Sequence, residues 1–173
     1  LIIKKTDLTW DSSHAIRFHL VFLSLYRAHR SPEERKLYLD LLHHLENQFL
    51  KVVLVPPDEA FQGYRTRNFM DGRNGYYRVG YPTTPDGYGP YELSGSSLLY
   101  GFWSLLPSKE IHQVYSYLYE NFDSFDNEKE LYKKAFYTQR ERNEIYVNAF
   151  ENGLIRFIVL CASEIQEDKE TLY

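Results

Sequence analysis

Between Pro56 and Tyr91 no helical pattern survives, while on either side of this stretch almost nothing else does. Connections inside compact domains seldom exceed about 12–15 residues without secondary structure, and the longer ones are functional or disordered. Disordered segments are poor in aromatics. This one holds Phe61, Tyr64, Phe69, Tyr76, Tyr77, Tyr81, Tyr88 and Tyr91, rings that need burial or a ligand. The expectation is an ordered loop, 56–91, folded over one end of a set of helices. Asp71-Gly72, Asn74-Gly75 and Asp86-Gly87 supply its turns, and Tyr76 to Val79 reads as a short hairpin strand.

The flanking segments read as helices from their start signals and apolar spacing. Asp11, Ser12 and Ser13 are N-cap types, opening a helix to about His29 that is apolar nearly all round and so expected to be buried on several sides. Ser31-Pro32-Glu33-Glu34 opens a second, with Leu42, Leu45, Phe49, Val52 and Val53 as its stripe and Pro56-Pro57 beyond its end. A third is expected from Glu92 to Leu106. A fourth is capped by Ser108 and carries Ile111, Val114, Tyr115, Leu118 and Phe122. A fifth opens at Asn127 with Glu130, and a sixth runs from Arg142 to Ile165 with Gly153 inside it and Cys161 in its core face. Leu1 to Ile3 and Val52 to Val55 are weak strand signals. The fold class is therefore all-α: consecutive antiparallel helical hairpins, three in series, with one long ordered Gly/Tyr-rich connection.

A length of 173 residues suits one helical domain, either whole or a piece of a larger one, since the chain starts at Leu1 rather than Met. The net charge of −4, with acids and bases mixed along the chain, argues against a nucleic-acid partner. Arg65, Arg67, Arg73 and Arg78 are the local basic exception. The single cysteine, Cys161, excludes an internal disulfide and a cysteine zinc site. No apolar run reaches transmembrane length, and the compartment stays open. The glycines form no phosphate loop, and Ser94, Ser96 and Ser97 read as helix-start residues rather than a nucleophile elbow. His43, His44 and Glu46 read as a solvated helix face. No metal or other cofactor is expected.

The aromatic content, 17%, is carried mainly by tyrosine. Tyrosine suits sugar recognition, because its ring stacks on apolar sugar faces while carboxylates, amides and guanidinium groups bond the hydroxyls. Asp71, Arg73, Asn74, Asp86 and Glu92 lie among Tyr76, Tyr77, Tyr88 and Tyr91. SHAIRFHLVFLSLYRA and GYGPYELSGSSLLYGFWSLL resemble inner helices of the (α/α) toroid proteins, which include glycoside hydrolases and heparinase-type polysaccharide lyases. A complete toroid needs more hairpins than are read here, so the resemblance implies a half or partial toroid, a truncated form, or an unrelated helical array. It also implies an oligo- or polysaccharide partner, with His14, Arg17 and Trp103 facing a cleft beside Arg73, Asn74, Tyr76, Tyr88 and Tyr91.

Hydrolysis needs two carboxylates. Glu92 and Asp86 are the first choice, with Asp71 as substitute. A lyase needs a base and a group that neutralises a uronate carboxylate. Tyr76, Tyr77 or His14 would be the base, and Arg73, Arg78 or Asn74 the neutraliser. The competing expectation is a non-enzymatic module whose Tyr-rich loop docks a protein partner, since Tyr and Arg also dominate such contacts.

Overall fold

The computed structural model describes residues 9–82, 85–137 and 149–165, and they are mostly helical. Helix α1 (Ser12–Ala15) starts where Asp11 accepts from the His14 amide at 3.1 Å. The chain then breaks at Ile16 and Arg17 before α2 (Phe18–Ala28), so the single long helix expected here is two. Nor is α2 surrounded: Leu20 and Val21 are exposed, and only His19 and Tyr26 are fully buried. Its inner side lies on α3 (Pro32–Gln48), folded back by the short turn before Ser31. Ser31 caps α3 by accepting from the Glu34 amide, with Pro32 at the first helical position; such a cap contributes about 1 kcal/mol. The helix ends in a π-helical turn, Phe49–Val53, that keeps Leu42, Leu45, Phe49 and Val53 on one buried stripe, with Val52 half-buried beside it.

Strand β1 (Leu54–Val55) pairs antiparallel with β2 (Arg65–Thr66), Leu54 opposite Thr66. The strand signal at Leu1 to Ile3 lies outside the described residues. The third helix is shorter than its sequence suggested. Helix α4 (Ser94–Leu98) stops, and Gly101, at φ +73°, turns the chain into a 3₁₀ turn, Phe102–Leu105. A left-handed residue cannot continue an α-helix, and glycine takes that conformation without steric cost. Ser108 caps α5 (Lys109–Glu120), whose Ile111, Val114, Tyr115 and Leu118 are buried at the expected spacing; Phe122 follows in a 3₁₀ turn. Helix α6 (Asp126–Tyr137) starts one residue before Asn127.

Gly153 corrects the last expected helix. At φ +83° it is the N-cap of α7 (Leu154–Glu164) rather than an interior residue, and among the described residues no neighbour packs against it. The part of that segment before Ala149 lies outside the described residues. Cys161, expected in the core, is exposed, because Ile155, Val159 and Ala162 form the buried face of α7.

The helices are not paired in simple succession. After the α2–α3 hairpin, α4 packs on α6 and α5 packs on α7. Trp103 sits at the centre, fully buried and stacked on Phe49 at 4.1 Å. It is a core ring with no face left for a ligand, which corrects its placement in a binding cleft.

His19 is buried beside Trp103, ring centroids 5.9 Å apart, and neither ring nitrogen has a hydrogen-bond partner among the described residues. Burial holds its pKa down at about 4, against an ordinary value near 6.5. The folded state therefore resists a proton that the unfolded chain accepts. The full contribution is present above pH ~6.5 and is lost as pH falls toward the folded value, at about 1.4 kcal/mol per pH unit. Between pH 7 and pH 5 His19 should remove about 2 kcal/mol of stability. Urea unfolding of the wild type and His19→Leu at both pH values checks this. An equal loss in both proteins would show that His19 is not the source.

Candidate functional site

The long loop is organised by two asparagines. Asn68 is fully buried, and its amide donates to the carbonyls of Gly75 (2.9 Å) and Gly89 (2.8 Å) while its side-chain oxygen accepts from the Leu93 amide (3.3 Å). Asn74 accepts from the amides of Asn68 (3.2 Å) and Tyr91 (3.0 Å). Further bonds tie the loop to the helices. The Ser12 amide donates to the Asn68 carbonyl, Gln48 to the Met70 carbonyl, and the Gln62 amide to the buried Glu128. Ser94, Ser96 and Ser97 lie in α4 at its start, as expected, and Ser94 also accepts from the Thr66 amide, a tie to the loop that was not expected.

Within this frame Tyr77 and Tyr88 exchange both backbone hydrogen bonds, at 2.9 and 2.7 Å. Successive residues of an extended segment face opposite sides, so Tyr76 and Tyr77 serve different surfaces. Tyr76 is exposed and lines an open cleft of about 370 Å³ with Asp86, Gly87, Gly89, Pro90, Glu92 and Lys134. Glu92 is oriented there: one carboxylate oxygen accepts from the Gly89 amide at 2.8 Å, and the other lies 3.8 Å from the Lys134 ammonium.

On the other side, the Tyr77 ring packs against His14, Phe69 and Tyr88. Buried Asp11 accepts from the backbone amide of His14, from Ser13, and at 2.8 Å from the His14 Nδ1–H. Arg78 donates from Nε to the Tyr77 hydroxyl at 3.0 Å, and its Nη2 lies 3.4 Å from His14 Nε2. Burial, with the Asp11 carboxylate beside it, pushes the Tyr77 hydroxyl up to about 12. Such a phenol keeps its proton at neutral pH and is a poor base.

No family model, curated protein or solved structure matches this chain.

The expected residues thus divide. Tyr76, Asp86 and Glu92 share the cleft; His14 and Tyr77 lie together on the opposite side of the hairpin strand. Asp71 and Arg73 form an exposed pair of their own at 2.6 Å, away from the cleft lining. Asn74 is part of the loop frame, its side-chain oxygen already occupied by two amides. Tyr88 is buried, and Tyr91, at φ +67°, lies under the Arg65 guanidinium at 4.7 Å. Arg17 is exposed at the α1–α2 break.

Three residues that matter escaped the sequence reading. Lys134 comes from α6, and no local pattern links it to Glu92. Asn68 carries no sequence signal beyond its type. Asp11 was legible only as a cap, although a capping aspartate three residues before a histidine places carboxylate and imidazole within reach. Among the described residues no cluster of three or more His, Cys, Asp or Glu side chains is placed to hold a metal ion, and no helix is long and apolar enough to cross a membrane.

Proposed function

We propose that this protein binds an oligo- or polysaccharide in the cleft between Tyr76, Asp86, Glu92 and Lys134. The observation that carries this reading is one open cleft combining an exposed Tyr76, 67% accessible, with two carboxylates and an ammonium. Tyr76 offers a ring for stacking on a sugar face, and Asp86 accepts from sugar hydroxyls. Glu92 is held by the Gly89 amide, so its geometry does not have to be organised by the ligand. If the bound sugar is cleaved, Glu92 and Asp86 supply the acid and the base or nucleophile that glycoside hydrolysis requires. In this reading the helices are a partial (α/α) toroid, for which the α2–α3 hairpin is the supporting element.

A second reading has one observation in its favour. Val79 and Tyr81 are exposed on the same hairpin as Tyr76, and exposed Tyr beside Arg78 suits docking to a protein.

A glycan array that includes acidic polysaccharides separates the two readings. Selective binding by the wild type and about tenfold weaker binding by Tyr76→Ala is the expected result, since one aromatic contact is worth about 1 kcal/mol or more. Glu92→Gln keeps an acceptor for Gly89 and should bind but not cleave. A folded wild type that binds no glycan, or a Tyr76→Ala variant that binds equally well, would end the sugar reading.

A further inference from the structure

We infer that Asp11, His14, Tyr77 and Arg78 form an oxyanion-binding site, separate from the sugar cleft, in which His14 takes up a proton as the anion seats on Arg78. The inference starts from Arg78. Its backbone is left-handed, φ +56°, which is unusual for a side chain other than glycine and concentrates at functional positions. Its guanidinium lies against the rings of Tyr77 and Tyr81, each centroid 5.2 Å away. No carboxylate in ion-pair range of it is found among the described residues, and its polar contacts are the Tyr77 hydroxyl and His14.

His14 supplies the second half. Its Nδ1–H donates to Asp11, which in the neutral ring leaves Nε2 as the acceptor, and Nε2 lies 3.4 Å from Arg78 Nη2. A carboxylate or phosphate oxygen on the Arg78 fork would meet the Nε2 lone pair and be repelled. A proton on Nε2 turns that repulsion into a charge-assisted hydrogen bond. Without the anion, the same proton would place two cations side by side. Anion and proton therefore favour each other.

The charges balance. The groups facing His14 are Asp11 and Ser13 from its own segment, and Tyr77 and Arg78 from the hairpin. Asp11 already accepts from Ser13 and twice from His14, so it is spoken for. Asp11 offsets Arg78, and the proton on His14 leaves one positive charge for one oxyanion. The guanidinium fork suits either a carboxylate or a phosphate.

The test is an NMR titration of the whole chain with acetate and with inorganic phosphate, against chloride at matched ionic strength. The His14 ring signal is assigned by its loss in His14→Gln. Saturable shifts are expected, with affinity for acetate falling as pH rises, by up to about tenfold per pH unit where one proton is taken up with the anion. Inorganic phosphate, which can carry the proton itself, should show a shallower dependence. Arg78→Gln should weaken both anions at least tenfold, and Arg78→Lys, which keeps the charge, should retain saturable binding. Far-UV circular dichroism reports whether each variant is folded. Acetate affinity that does not change with pH, unchanged binding in Arg78→Gln, or a response matched by chloride would overturn the inference.

Discussion

Gly95→Ala should lower the melting temperature by about 10 °C, corresponding to roughly 3 kcal/mol in a chain of this size. A Cβ at Gly95 would lie 1.8 Å from the Tyr132 carbonyl oxygen and 2.7 Å from its carbonyl carbon. Both are backbone atoms of α6, so no side chain can swing aside. Helix α4 would have to withdraw from α6, opening space around Leu98 and Leu99, which are fully buried. The damage would spread because Tyr132 is a junction: its hydroxyl donates to the Tyr64 carbonyl at 2.7 Å and so joins α6 to the long loop. Thermal melts followed by circular dichroism measure the effect. A melting point within about 2 °C of the wild type, less than 1 kcal/mol, would mean that α4 and α6 are not in tight contact at Gly95.

Asn68→Ala should cost about 3 kcal/mol or more and release the segment from Gly75 to Gly89. The change removes the bonds to the Gly75 and Gly89 carbonyls and leaves the buried Leu93 amide without its partner, and a buried unpaired polar group alone costs about 1–3 kcal/mol. Asn68→Asp should do no better, because an acidic oxygen would face the two carbonyls that now accept from the amide. Urea unfolding gives the stability, and hydrogen exchange at the amides of Tyr77 and Tyr88 reports the local release. Since Tyr76 stands on this segment, glycan binding in the cleft should fall with it. Unfolding within 1 kcal/mol of the wild type, with unchanged exchange at Tyr77 and Tyr88, would contradict the role given to Asn68.

Much of the helical framework was legible because its signals are local. Asp11, Ser31 and Ser108 cap the helices they precede, and each cap acts within three residues. The stripe of Ile111, Val114, Tyr115 and Leu118 follows from helical geometry alone. The failures share a cause. Gly101 and Gly153 sit in helix-like surroundings, where a glycine either continues the helix at a cost or turns the chain left-handed. Gly101 turns where its backbone meets Ala162 and Ile158 of α7, and that contact lies far along the chain. Cys161 and Trp103 were misplaced for the same reason: apolar content reports that burial is wanted, not which side receives it.

The candidate site was legible by residue type and not by arrangement. Tyr76 and Tyr77 are neighbours with the same side chain, and only the pairing of Tyr77 with Tyr88 sends them to different surfaces. Taken alone, the sequence determined where most helices begin and which residues their stripes bury. The tertiary structure decided that α4 meets α6 and α5 meets α7, that Lys134 joins Glu92, and that His14 faces Arg78. Capping and periodicity are settled between neighbours in the chain. Hydrophobic burial has no direction, so several pairings would cover the same stripes; the close approach at Gly95 and the hydrogen bonds of Asn68 select one of them.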